Sequence, residues 1–148
     1  MFQRILVPVD GSETSNKALA AALQLAGESG GRVRIVHALD ELAYLGAYEY
    51  SGEMLAQGRQ YARKMVDDAL AAAQAAGVRA DSQLLEAPGK RLGEIVAEQA
   101  RSFEADLVVV GTHGRRGIGR LVLGSGAEQV IRMAPVPVLA VRSPEHVA

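Results

Sequence analysis

Apolar residues recur along this chain in two alternating rhythms. Ile5-Leu6-Val7-Pro8-Val9 is a continuous apolar run that stops at the turn pair Asp10-Gly11, which predicts a strand buried on both faces. Leu19, Ala22, Leu23 and Ala26 then fall at i, i+3, i+4 and i+7, the spacing of one helical face, and Gly30-Gly31 ends the segment. Arg32 to Ala38, with Val33, Ile35 and Val36, predicts a second strand. An irregular Tyr-rich passage from Asp40 to Gly52 follows it. A long helix is expected over about Glu53 to Ala76, offering Tyr61, Met65, Val66, Leu70 and Ala73 to the core, with Gly77 as its stop. Ser82 to Leu85 predicts a weaker third strand. Pro88-Gly89 opens a third helix on which Leu92, Ile95 and Val96 share a face. Asp106 to Val110 predicts a fourth strand, Ala127, Val130, Ile131 and Ala134 mark a fourth helix, and Pro135-Val136-Pro137 leads into a last strand through Val141.

Five strands alternating with four helices predict an α/β fold of the doubly wound class: an open, mainly parallel five-stranded sheet with helices on both faces. Ligands of such sheets bind beyond the carboxyl ends of the strands where the winding reverses. Attention therefore falls on the loops after Val9 and Val110. Pro135 and Pro137 limit hydrogen bonding on one side of the last strand and mark it as an edge, while Val136, Val138, Leu139 and Val141 make that edge apolar. A two-fold homodimer joining the last strands, Val136 to Val141, is the expected cover.

Composition narrows the function classes. At 148 residues the chain is expected to form one domain, residues 1–148, without repeat or linker. A formal net charge of -1 provides no global field for nucleic acid or an anionic membrane, so an anion site has to be built locally. Cysteine is absent, which excludes disulfides and thiolate chemistry and fits a cytoplasmic location. The opening apolar run is too short for a secretory leader, and no apolar stretch has membrane-spanning length.

The local anion site is legible after the fourth strand. Gly111-Thr112-His113-Gly114 is followed by the nine residues Arg115 to Leu123, and then Gly124-Ser125 opens the fourth helix. Glycines there allow close approach of backbone N–H groups to phosphate oxygens, and a helix N-terminus adds a positive dipole end. No acidic residue occurs between Asp106 and Glu128, whereas Arg115, Arg116 and Arg120 do. The Walker A pattern fails at Lys90. The dinucleotide fingerprint fails because Val122 and Gln129 stand where its last glycine is needed.

The pattern Gly-x2-Gly-x9-Gly-Ser, together with ILVPVDGSE at the start, DLVVVGTHG, GSGAEQVI and the closing APVPVLAVR, resembles the universal stress protein family over the whole chain. The resemblance implies an adenine nucleotide alpha hydrolase-like fold and a stress-response role. It implies binding of ATP, or of ADP or AMP, with Mg2+. Pro8, Val9 and Asp10 would line the adenine and ribose end, with Val36 or Ala38 completing the adenine pocket. Val110, Gly111, Gly114, Gly124 and Ser125 would hold ribose and phosphates. Gly126 stands where many members carry a larger residue.

Plainer roles compete with these. Asp10-Gly11-Ser12-Glu13 and Ser125-Gly126-Ala127-Glu128 both read as capping boxes. His113 is expected to touch ligand or solvent rather than to act as a base, and Arg115, with Arg116 and Arg120, to screen a triphosphate or form a solvated loop face. His37 and His146 have no metal-ligand spacing, and Tyr44, Tyr48 and Tyr50 are expected to cap the core edge. No catalytic residue and no metal-ligating side chain is assigned. The expected function is a dimeric ATP-binding sensor, at most a slow ATPase. The alternatives are a nucleotide-free dimeric interaction protein of the same fold and a binder of AMP or cyclic AMP.

Overall fold

The computed structural model describes residues 1–39, 52–113 and 123–142. Strands and helices alternate there as β1 (Arg4–Pro8), α1 (Glu13–Ser29), β2 (Arg32–Leu39), α2 (Gly52–Ala75), β3 (Arg79–Glu86), α3 (Leu92–Phe103), β4 (Leu107–Gly111), α4 (Ser125–Met133) and β5 (Val138–Val141). The strands form one parallel sheet in the order β3-β2-β1-β4-β5. This is the doubly wound α/β fold that the alternation predicts, and β5 lies at an edge as expected, though it begins at Val138, after Pro135 and Pro137, rather than at Val136.

Two cores sandwich the sheet. Ile5, Val7, Val33, Ile35 and Val109 pack against α1 and α2, whereas Leu6, Val36, Val108 and Val110 pack against α3 and α4. Central strands face apolar layers on both sides, so they read as continuous apolar runs. Burying each such side chain contributes about 1.5–3 kcal/mol relative to exposure.

Helix α1 stops at Gly30, which takes φ 73° and donates its N–H to Ala26 O, a left-handed cap that suits glycine. Helix α2 turns its small residues inward: Gly58, Ala62, Val66, Ala69 and Ala73 are buried, while Tyr61 is 51% exposed. The expected place of Tyr61 in the core is thus corrected, because small side chains let the helix lie closer to the sheet. Ile131 is likewise exposed, since α4 turns only Ala127 and Val130 inward.

Strand β3 begins at Arg79, earlier than the expected Ser82. It is an edge strand whose residues alternate between exposed and half-buried, which leaves little apolar signal. The expected Tyr44, Tyr48 and Tyr50 cap lies outside the described residues. Among those described, no helix is long and apolar enough to cross a membrane.

The winding reverses between β1 and β4. The chain leaves β1 for α1 on one face and leaves β4 for α4 on the other, so a crevice opens above these adjacent strand ends.

Candidate functional site

The loop after β1 is fixed by its own side chains. Asp10 Oδ1 accepts the Ser12 N–H at 2.9 Å, Ser12 Oγ accepts the Ser15 N–H at 3.2 Å, and Ser15 Oγ accepts the Asp10 N–H at 3.0 Å. Ser12 is the N-cap of α1, so the capping expected of Asp10 passes to Ser12, and Asp10 holds the turn before it. The neighbouring strand end is tied to this one. Val9 N–H donates to Val36 O at 2.8 Å, and His37 Nδ1 lies 2.7 Å from Val9 O.

The loop after β4 is pinned at both ends. Thr112, 8% exposed, donates its N–H to Val141 O at 3.0 Å and accepts the Gly124 N–H at 2.7 Å. Thr112 and Gly124 are thereby held together. The Thr14 hydroxyl donates to His113 O, binding the first turn of α1 to the same loop.

Gly111 has a packing reason for being glycine. A Cβ there would lie 2.8 Å from the Thr14 carbonyl carbon and 3.0 Å from Ser15 N, inside the backbone of α1. Gly126 admits α3, since its Cβ would lie 3.0 Å from Leu92 Cδ2.

Helix α4 begins at Ser125 with Gly124 as N-cap, and no side chain caps it. The expected capping box on Ser125 is therefore absent, because Ser125 already lies inside the helix. The N–H groups of Ser125 and Gly126 have no intrahelical acceptor and point, with the positive dipole end, toward whatever stands before the helix. Beside them, His113 Nδ1 is buried without a partner among the described residues. The arrangement supplies donors for an anion and a polar ring atom for a further hydrogen bond.

The sequence-predicted site residues distribute as follows. Pro8, Val9 and Asp10 end β1 and begin its loop, and Val110 and Gly111 end β4 beside them. His113, Gly124, Ser125 and Gly126 flank the loop that returns to Thr112. Val36 is enclosed in the core at 2% exposure, whereas Ala38, next on the same face, is half-buried, so Ala38 is the accessible member of that pair. Gly114 and Arg115 lie outside the described residues.

Sequence reasoning missed Thr14, Ser15, Thr112 and His37. Hydroxyl residues directly after a cap and directly after a buried strand were the available signal for the first three. Among the described residues, no three His, Cys, Asp or Glu side chains gather to hold a metal ion. Two open grooves of about 460 and 450 Å³ lie elsewhere, one between α2 and β3 and one between α1 and the end of α2. Of the charged residues that wall the first, Arg59 pairs with Glu86 and Lys64 with the neighbouring Asp68.

Known proteins resemble this chain in sequence and in overall fold. A universal stress protein of Thermus aquaticus is 38% identical over 144 residues, covering 96% of this chain and all of the relative. A solved universal stress family protein of Burkholderia pseudomallei, 32% identical, superposes with a TM-score of 0.77 over 95% of this chain and 96% of its own. A third, 27% identical with a TM-score of 0.68 and covering 95% and 97% of the two chains, is described as a universal stress protein in complex with cAMP. The model of the universal stress protein family matches residues 1–142, and this chain belongs to that family.

Proposed function

We propose that this chain binds an adenine nucleotide across the carboxyl ends of β1, β2 and β4 and works as a dimeric sensor in a stress response. The observation that carries the reading is the bond of 2.7 Å from the Gly124 N–H to Thr112 O, which joins the end of β4 to the start of α4. This bond places an uncapped helix start beside the crevice where a doubly wound sheet takes its ligand. Pro8, Val9, Asp10 and Ala38 line the adenine and ribose end. Val110, Gly111, His113, Gly114 and Ser125 surround the phosphates, and Arg115 offsets their charge.

ATP is the leading ligand. Its Mg2+ would be held by phosphate oxygens and water, as a hard cation that keeps much of its hydration. Phosphoryl transfer needs a positioned nucleophile and transition-state charge stabilisation. The residues assigned here bind and orient rather than activate water, so hydrolysis is slow at most. A second reading, binding of AMP or cyclic AMP, is favoured by the relative solved with cAMP.

Gly114→Val tests the site. A β-branched side chain in the loop fills space that a phosphate needs, so calorimetry should record loss of ATP binding while circular dichroism stays native. Unchanged affinity would remove the loop from the site.

A further inference from the structure

The end of the sheet opposite the crevice carries a charge arrangement that nucleotide binding does not use. Three neighbouring strands begin with arginine, and the register sets them side by side: Arg4 beside Arg32, and Arg32 beside Arg79. Register partners in a parallel sheet project from one face, on strands about 4.8 Å apart. Like charges directly opposite one another cost stability. One step further on, Arg34 and Asp81 are partners, and there the charge is balanced by two bonds of 2.9 Å.

The row itself is held in place without being neutralised. Gly31 lets β2 begin close to β1, since its Cβ would lie 2.8 Å from Gln3 O, and the Arg32 N–H donates to that oxygen at 2.9 Å. The Arg4 guanidinium lies 4.3 Å from the Phe103 ring centre and donates to Phe103 O at 2.6 Å. Arg79 donates to Gly30 O at 3.3 Å. The Arg32 side chain is exposed and makes no hydrogen bond or ion pair among the described residues.

Among the described residues, no carboxylate makes an ion pair with Arg4, Arg32 or Arg79. Asp106 accepts the N–H groups of Gln3 and Arg4 at 2.8 and 3.0 Å. Glu104 caps α3 beside the exposed Arg101. Asp81 is held below the usual carboxylate range by its hydrogen bonds from Arg34, with the charges of Arg32 and Arg4 adding to the effect. The charges of the row thus act on Asp81, and that acid already belongs to Arg34.

We propose that this row is an anion-binding surface separate from the crevice, taking a free oligophosphate across Arg4, Arg32 and Arg79. Guanidinium forks match phosphate oxygens. Two of the three are already positioned by protein bonds, which lowers the ordering cost, and a bound anion relieves the repulsion along the row. A compact phosphate chain supplies several oxygens within one strand spacing. Alternate carboxylates of an extended acidic peptide stand about 6.6 Å apart and fit it poorly.

The test is a titration of the full, nitrogen-15-labelled chain with sodium tripolyphosphate at fixed ionic strength, read by amide shifts. Arg32, Arg79 and Asp81 should shift together and saturate, on a binding curve distinct from that of Gly124 and Ser125. Arg32→Ala and Arg79→Ala should each weaken that curve about tenfold and leave the response at Gly124 unchanged. Arg32→Ala should also raise Tm in anion-free buffer. Shifts confined to the Gly124 end, equal shifts with sodium chloride, or response to an oligoglutamate peptide alone would each overturn the proposal.

Discussion

Gly111 shows how one residue serves both fold and site. Its missing Cβ is the space occupied by the Thr14 carbonyl, so the residue brings α1 against the end of β4 and presents the loop that follows. Gly111→Ala forces backbone against backbone and should destabilise the chain by about 1–3 kcal/mol, measured as a lower urea midpoint. Nucleotide affinity should fall with it. The glycine motif was legible in the sequence, but this reason for its first glycine was not. The contact joins residues from opposite ends of the chain, and no local pattern announces it. His37 stayed hidden for a related cause: its bond to Val9 O exists only once β1 and β2 are in register.

At the scale of elements, Ser12 is the cap on which the first loop depends. Its Oγ accepts the Ser15 N–H, while Ser15 Oγ accepts the Asp10 N–H. Ser12→Ala should cost about 1 kcal/mol, seen as a shifted denaturation midpoint with an unchanged slope. Ser12→Asp should restore most of the loss by supplying another capping oxygen. The helix stops at Gly30 and Gly77 and the central strands were readable because strong local chemistry marks them. The start of β3, the small residues Gly58, Ala62 and Ala69 that take the inward place expected of Tyr61 on α2, and the true caps of α1 and α4 were not. An edge strand has little apolar contrast, a small-residue seam looks like any alanine-rich helix, and capping boxes are satisfied by several nearby registers.

For the whole molecule, topology converts these local features into a site. Reversal of the winding between β1 and β4 brings the Ser12 turn and the Thr112–Gly124 closure to the same crevice, and the alternation of strand and helix already implied this. The far edge poses a separate question, because β5 is short and Leu139 is 41% exposed. A dimer across that edge should sediment as two chains, and Leu139→Arg should return it to one; a wild-type protein that sediments as a single chain would contradict the dimer.

The central claim, adenine-nucleotide binding, is tested most directly by calorimetric titration of the ligand-stripped protein with ATP, ADP, AMP, cyclic AMP and GTP in the presence of magnesium. Saturable heat at about micromolar affinity for an adenine nucleotide, strongest for ATP and far weaker for GTP, is the predicted result. Absence of heat with every nucleotide would contradict it and leave a nucleotide-free interaction protein on the same fold.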